Sequence, residues 1–309
     1  MTKVFVDGSS GTTGLKILDR LAIRNDVELI KLDEELRKDV SAKKAAINSA
    51  DVVFLCLPDA AAIESVSLVE NDHTVVIDTS TAHRTNDKFA YGFPEINNFK
   101  AKIAKSQFIA NPGCHASGFI SLVQPLMQAG LLKNDVNLTC FSLTGYSGGG
   151  KKMIAQYEQD EICALESPRQ YGLTQNHKHL PEMSKYCMLD NAPIFCPIVA
   201  DFAQGMEVTV PLFKKDVKGS INDIIEVYKN LYTGKMVHLD MDTEEGFIKA
   251  DKYANFDDMG ISVFGNDDRI LLVSRFDNLG KGASGAAIQN MNIVLGLDET
   301  TSLNIKGAN

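Results

Sequence analysis

No two of the six cysteines (Cys56, Cys114, Cys140, Cys163, Cys187 and Cys196) stand in a CxxC pair, and several sit in strand-like apolar runs. That scatter excludes a zinc knuckle and a disulfide framework, and a reducing, cytoplasmic setting is expected. Long apolar runs are missing as well. None approaches the roughly 18 residues that cross a bilayer, and Met1-Thr-Lys-Val-Phe-Val-Asp-Gly8 enters a strand at once, so neither a membrane partner nor a secretory signal is expected. Basic residues are in deficit, with 31 Lys and Arg against 40 Asp and Glu and a formal charge of −9. A nucleic-acid binder needs a concentrated basic stripe, and none is visible; the basic residues that do occur must serve specific anions. Internal repeats are absent, and the one low-complexity stretch is the short run Gly148-Gly-Gly150.

At 309 residues the chain is long enough for two domains that each bury a core. Its first third alternates short β-branched runs with amphipathic segments, the signature of a doubly wound parallel sheet. Residues 3–6 read as a strand, Leu15, Leu18, Leu21 and Ala22 as the stripe of a helix, and residues 27–32 as a second strand. A helix is expected over 42–48, a strand buried on both faces over 52–57, a helix over 60–69 and another buried strand over 74–77. Residues 108–110 lead straight into a cysteine turn. Ligands bind in the crevice at such strand ends. Beyond Gly130 the runs lengthen and alternate with period two, as at Val208, Val210 and Leu212 and over 270–276. This predicts an antiparallel or mixed sheet with helices on one face. Ser220-Ile-Asn-Asp223 fits a capping box, with Ile221, Ile224, Ile225, Tyr228 and Leu231 as the helix stripe and Gly234 as its close. A last, alanine-rich helix is expected over about 284–295, ending at Gly296.

Ile109-Ala-Asn-Pro-Gly-Cys-His-Ala-Ser-Gly118 places Cys114 at the joint between a strand and a helix. Unpaired N–H groups at a helix start favour thiolate over thiol and can donate to an oxyanion formed beside the sulfur. Cys114 is therefore the candidate nucleophile. His177-Lys-His179-Leu-Pro-Glu182 follows more than sixty residues later. Either imidazole can take the thiol proton or later supply one, and Glu182 can orient whichever ring does so. His-x-His is also a metal spacing, but a third and fourth ligand are missing from it, so no metal is expected.

Strand 3–6 runs into Gly8-Ser9-Ser10-Gly11-Thr12-Thr13-Gly14 and then a helix. The glycines allow a tight turn and close approach of a pyrophosphate to the helix N-terminus, while the hydroxyls add donors. After the second strand, Lys31-Leu-Asp-Glu-Glu-Leu-Arg-Lys38 mixes acids with bases. Asp33 alone points to NAD, whereas Arg37 and Lys38 can neutralise the 2′-phosphate of NADP. Thr144-Gly-Tyr146-Ser147-Gly-Gly-Gly-Lys151-Lys152 gathers backbone amides, a hydroxyl and two lysines fit for an anionic substrate. Arg84, at the end of Ser80-Thr-Ala-His-Arg84, can hold a phosphate or carboxylate bidentately.

Over nearly the whole chain these segments resemble the short type of the N-acetyl-γ-glutamyl-phosphate reductases, in the aspartate-semialdehyde dehydrogenase-like superfamily. The resemblance is carried by the Gly8–Gly14 and Asp78–Arg84 segments, Tyr91-Gly-Phe-Pro-Glu-Ile96, Asn111-Pro-Gly-Cys-His115, Gly145-Tyr-Ser-Gly-Gly-Gly150, the His177–Glu182 segment and Asp277-Asn-Leu-Gly-Lys-Gly-Ala-Ser-Gly285. It implies an α/β fold: a doubly wound Rossmann domain, residues 1–114 plus 287–309, with an inserted α+β domain, residues 115–286, for catalysis, substrate contacts and oligomerisation. It implies NADP as cofactor, which outweighs Asp33, and assembly into a homodimer or homotetramer.

The implied reaction is the NADPH-dependent reduction of N-acetyl-L-glutamyl 5-phosphate to N-acetyl-L-glutamate 5-semialdehyde in arginine biosynthesis. Cys114 would form a thioester, which accepts hydride better than a serine ester would. Arg84 matches the position expected to hold the leaving phosphate, and Tyr146, Ser147, Lys151 and Glu182 the rest of the substrate. His179 is preferred to His177 as acid/base, and Asn290 is placed at the nicotinamide carboxamide. The stretch 80–84 departs from the commoner Ser-Ala-Asp-Phe-Arg of the family while keeping Arg84. Two other readings compete: aspartate-semialdehyde dehydrogenase or a related acyl-phosphate reductase, and a non-catalytic dinucleotide-binding protein, which would bind cofactor without a reactive thiol.

Overall fold

The computed structural model describes residues 1–158 and 165–306, and it divides into two compact units, Met1–Pro112 with Ala283–Leu303 and Gly113–Gly282 with the described part of Asn304–Asn309. Cys163 lies outside the described residues; the five described cysteines are free thiols.

The first unit runs β1 (Thr2–Asp7), α1 (Thr12–Ala22), β2 (Val27–Ile30), α2 (Val40–Ser49), β3 (Val52–Leu55), α3 (Asp59–Ser67), β4 (Val75–Asp78), β5 (Ala90–Tyr91), α4 (Phe99–Ile103) and β6 (Phe108–Ala110). All its strands pair in parallel, in the order β2-β1-β3-β4-β6-β5. The order reverses between β1 and β3, so the turn after β1 lies at the topological switch point, where doubly wound sheets bind ligands. β3 is apolar throughout and buried along its length, as a strand covered on both faces must be. Helix α1 corrects one expectation. Its inward residues are Gly14, Ile17 and Leu21, while Leu15 is 44% exposed. Gly14 is pressed so closely on the preceding turn that a Cβ there would lie 2.6 Å from the Gly8 carbonyl oxygen, and this contact sets the helix phase and turns Leu15 outward.

The second unit runs α5 (Cys114–Gln128), β7 (Thr139–Gly145), α6 (Gly150–Tyr157), β8 (Arg169–Gln170), α7 (Leu180–Cys187), β9 (Ile194–Ala200), β10 (Met206–Phe213), α8 (Ile221–Leu231), β11 (Val237–Leu239), β12 (Met259–Gly265) and β13 (Arg269–Phe276). Its mixed sheet has the order β11-β12-β13-β10-β7-β9-β8, with β7–β9 and β11–β12 parallel and the other pairs antiparallel. Along β10, Met206, Val208, Val210 and Leu212 point inward on alternate residues. Helix α5 packs on this inner face and is buried from His115 to Met127. Pro125 inside it has no N–H to give Ser121, and the Tyr232 hydroxyl donates to that carbonyl instead, at 2.6 Å. The Ser220–Asp223 capping box is present at the start of α8, but the helix ends at Leu231 with Tyr232 as its cap, so Gly234 does not close it. The chain returns to the first unit as α9 (Gly285–Val294), which packs on α1 and α4.

Candidate active site

The turn after β1 is a cradle that side chains do not fill. Gly8 has φ +83°, and a Cβ there would lie 2.2 Å from the Cys56 carbonyl oxygen. The Gly11 N–H donates to the Gly8 carbonyl at 3.1 Å. Helix α1 then starts at Thr12 with no side-chain cap, so its first N–H groups remain for an anion. Thr12 Oγ1 is buried without a hydrogen-bond partner among the described residues, as a hydroxyl awaiting a phosphate would be, and Thr13 follows it. Gly8, Ser9 and Ser10 line a cavity of about 540 Å³ together with Lys31, Arg37 and Lys38. Asp33 begins the short turn Glu34–Leu36 and makes no capping bond. The donors and bases brought to this cavity fit a phosphorylated dinucleotide.

At the ends of the neighbouring strands the polar groups hold each other. Asn290, fully buried on α9, donates through Nδ2 to the Gly92 carbonyl at 3.0 Å and to Asn111 Oδ1 at 3.2 Å, while its Oδ1 has no partner among the described residues. That orphaned acceptor is compatible with a carboxamide N–H. Asp78 accepts from Ser80 Oγ at 2.8 Å and pairs with His83 Nδ1 at 2.6 Å, and the His83 ring stacks on Phe89. Arg84 is buried and donates through Nε to the Asn111 carbonyl and through Nη2 to the Thr79 carbonyl, both at 3.0 Å. Its guanidinium is thus fixed to the backbone three residues before Cys114 in sequence.

In the second unit Cys114 opens α5, with Gly113 as a cap that offers no side chain. The thiol sits where the helix presents its unpaired N–H groups. Gly282 passes so close that a Cβ on it would lie 2.9 Å from Cys114 Cβ. Glu182, 1% exposed in the first turn of α7, accepts from the Gly113 N–H at 3.2 Å. Atoms of Cys114, His115 and His179 all lie within 4.8 Å of one another. His177 packs edge-on to His179 with ring centroids 4.8 Å apart, and its Nδ1 accepts from the His179 N–H at 3.3 Å. His179 thus stands within 4.8 Å of the sulfur, with His177 edge-on to its ring.

His115 and Tyr171 carry no assignment from sequence, yet they stand in this cluster. His115 Nδ1 lies 2.6 Å from Ser142 Oγ on β7, and its Nε2 lies 2.7 Å from the Tyr171 hydroxyl. Burial, with His177 and Lys178 adding repulsion, pushes the His115 pKa down to about 3, so the ring is neutral near pH 7. Burial and then the Cys114 charge push the Tyr171 pKa upward. With both His115 nitrogens occupied by hydroxyls, the trio reads as a thiol–imidazole cluster. The adjacency of Cys114 and His115 is the one sequence signal for it; Tyr171 arrives from the far side through the pairing of β8 with β9.

Three amides just before the glycine run are already paired. The N–H groups of Gly145, Tyr146 and Ser147 already donate to the carbonyls of Gly205, Phe202 and Ala203 at 3.0, 2.9 and 3.1 Å. Ser147 is buried and accepts from Asn278 Nδ2 at 3.0 Å. The Tyr146 ring stacks on Tyr157 with centroids 4.8 Å apart, and Lys151 stands exposed in the first turn of α6.

Comparison with known proteins follows the same division. Residues 3–105 match the NAD binding domain of semialdehyde dehydrogenase, and residues 114–278 match the dimerisation domain of semialdehyde dehydrogenase. The chain is 42% identical to N-acetyl-gamma-glutamyl-phosphate reductase 2 of Nostoc sp., covering 97% of this chain and 99% of that one. It is 44% identical to N-acetyl-gamma-glutamyl-phosphate reductase of Brucella ovis, over 95% and 99% of the two chains. Among solved structures it resembles aspartate semialdehyde dehydrogenase from Francisella tularensis, with TM-score 0.70 and 13% identity over 96% of this chain and 100% of that one. Aspartate semialdehyde dehydrogenase II from Vibrio cholerae, complexed with ASA, matches with TM-score 0.69 and 14% identity, over 96% and 98%. At that identity the structural likeness is one of fold.

Proposed function

The chain belongs to the semialdehyde dehydrogenase family and, within it, to the N-acetyl-γ-glutamyl-phosphate reductases, and from that premise we propose that it reduces N-acetyl-L-glutamyl 5-phosphate to N-acetyl-L-glutamate 5-semialdehyde with NADPH, a step of arginine biosynthesis. The observation that carries the reading is the approach of Cys114 and His179 at the uncapped start of α5. His179 takes the thiol proton, and the Cys114 sulfur forms a bond to the acyl carbon. The carbon–oxygen bond to phosphate breaks, and inorganic phosphate leaves with the electron pair. NADPH, when bound, supplies the hydride that reduces the resulting thioester. The tetrahedral carbon then collapses, the carbon–sulfur bond breaks, and His179 returns its proton to the sulfur as the aldehyde departs.

Arg84 is assigned to the phosphate, and Tyr146, Ser147, Lys151 and Glu182 to the remainder of the substrate. Gly8 to Gly14 would receive the pyrophosphate of NADP, Arg37 and Lys38 its 2′-phosphate, and Asn290 the carboxamide. Support for the last three groups comes from the orphaned Thr12 and Asn290 oxygens and from the bases on the cavity wall. The five free thiols among the described residues suit a reducing cytoplasm, and no helix among those residues is long and apolar enough to cross a membrane.

Assembly as a homodimer, or as a tetramer built from such dimers, is supported by one face of the second sheet. Phe141, Ile194, Phe213 and Leu271 are 46%, 60%, 59% and 41% exposed, and the strand registers put all four on that face. Light scattering on Phe141→Asp against the parent chain tests this, a smaller particle being the expected result.

The activity test runs the reaction backwards, from N-acetyl-L-glutamate 5-semialdehyde, phosphate and NADP, following NADPH absorbance. Phosphate-dependent NADPH formation that disappears in Cys114→Ser is expected. Turnover with aspartate semialdehyde in its place would move the substrate assignment to the neighbouring enzyme, and cofactor binding with no turnover of either aldehyde would favour the non-catalytic reading.

A further inference from the structure

His115 carries more order than a packing residue needs. It is 4% exposed, both ring nitrogens are within 2.7 Å of a hydroxyl oxygen, and its ring is edge-on to Phe195 and tilted against His179. The polarity of this chain of hydrogen bonds can be read from its buried end. Ser142 is fully buried, and among the described residues its hydroxyl has no acceptor other than His115 Nδ1. Ser142 therefore donates, and Nδ1 carries no proton. A neutral imidazole then holds its single proton on Nε2, which donates to the Tyr171 oxygen. The Tyr171 proton is left to point away from His115. Burial and the Cys114 charge both keep that proton on the oxygen.

We propose that His115 is a positioning residue which fixes the Tyr171 hydroxyl as a hydrogen-bond donor to the negative charge carried by the Cys114 sulfur. The proposal rests on Cys114 being the nucleophile. A ring nitrogen of His115 lies within 4.8 Å of that sulfur, Tyr171 is hydrogen-bonded to the same ring, and the Cys114 charge is felt at the Tyr171 hydroxyl. Such a donor favours thiolate without supplying a charge of its own, which leaves His179 free to cycle its proton. Among the described residues, titratable or charged groups near this cluster include His177, His179 and Glu182 from α7 and the turn before it, with Lys178 exposed beyond them, and the buried Lys281 and Asp277 on the segment whose Gly282 presses on Cys114.

The test is the pH dependence of Cys114 alkylation by iodoacetamide in the whole protein, read by peptide mass spectrometry. Tyr171→Phe keeps the ring and removes the hydroxyl. It is expected to raise the alkylation midpoint by about one pH unit and to slow alkylation near pH 7 about tenfold. His115→Phe is expected to move the midpoint in the same direction, and His115→Gln, whose amide N–H can replace Nε2–H, to restore most of it. An unmoved midpoint in a folded Tyr171→Phe variant overturns the proposal, as does a His115→Gln variant no better than His115→Phe. If His115→Phe does not fold, Tyr171→Phe decides alone. A wild-type Cys114 that reacts no faster than the buried Cys140 overturns the nucleophile assignment, and this inference falls with it.

Discussion

Glu182 Oε2 accepts a 3.2 Å hydrogen bond from the backbone N–H of Gly113, so a carboxylate 69 residues further along the chain holds the peptide unit before Cys114. Helix α7 thus meets the cysteine turn twice. The residue capping its N-terminus, His179, stands at the sulfur, and its first turn, through Glu182, grips the backbone that aims the sulfur.

Glu182→Ala leaves the Gly113 N–H without this acceptor at a buried position. We expect a loss of about 1–3 kcal/mol in folding stability, with kcat lowered because the sulfur is misplaced and KM raised because a substrate contact is lost. Glu182→Gln keeps an amide oxygen for the same N–H and should regain most of the stability. Urea unfolding and steady-state kinetics on the two variants measure both effects; an alanine variant as stable as the parent would show that the bond does not hold the turn.

His115 makes stability depend on pH. Its folded pKa lies at about 3, below the ordinary value of 6.5, because burial penalises the charged ring. Between those two values the unfolded chain binds a proton that the folded chain does not, so stability falls as pH is lowered from 6.5 toward about 3. His115→Phe removes the titrating group. Its unfolding free energy should therefore vary less over that interval than the parent's, as denaturant titrations at a series of pH values would show; parallel curves would mean that the ring is protonated in the fold.

Arg37 and Lys38 line the same cavity as Gly8, Ser9 and Ser10, and the proposed function assigns them to the ribose phosphate. Arg37→Ala and Lys38→Ala should each raise the KM for NADPH about tenfold, by removing one charge-assisted contact, and leave the KM for NADH nearly unchanged. Equal effects on both cofactors would place the two side chains at the pyrophosphate or away from the cofactor altogether.

The parts of this molecule that could be read from sequence are those whose cause is local. A strand, a glycine turn and a helix follow one another within residues 2–22, and the Ser220–Asp223 capping box closes over four residues. Cys114 belongs to the same class, because strand, Pro112, Gly113 and helix are contiguous. What stayed hidden depends on distant chain. Tyr171 reaches His115 through strand pairing, and Ser147 is held by Asn278 from 131 residues away. The amides of Gly145, Tyr146 and Ser147, just before the glycine run, donate to the 202–205 loop, a pairing that no local pattern announces. The phase of α1 was misread for a similar reason, since the contact of Gly14 with Gly8, rather than hydrophobicity, decides which side of the helix turns inward.

Outside the cysteine cluster Arg275 and Asp240 form a buried ion pair, with Nη2 and Oδ2 2.9 Å apart and Arg275 only 1% exposed. Lys252 Nζ at 2.8 Å, the Tyr253 hydroxyl at 2.9 Å and the Asp242 N–H at 3.3 Å also donate to the carboxylate. Burial alone would raise the Asp240 pKa, but the bonds from Lys252 and Tyr253 and the positive charges of Arg275 and Lys252 outweigh it and hold the value below the ordinary 3.8. The stabilising contribution is therefore present above pH 3.8 and is lost as pH falls through the lower folded value. Asp240→Asn strands the Arg275 charge in the interior and should cost about 3–5 kcal/mol near pH 7. The gap from the parent should narrow in acid, where the parent's carboxylate is itself protonated. Because the cost comes from an uncompensated charge, Asp240→Asn combined with Arg275→Met should be more stable than Asp240→Asn alone. Urea unfolding of the three proteins at neutral and acid pH separates these terms, and a double variant less stable than Asp240→Asn would show that Arg275 holds the fold through its other partners, the carbonyls of residues 240 and 242 and Ser262.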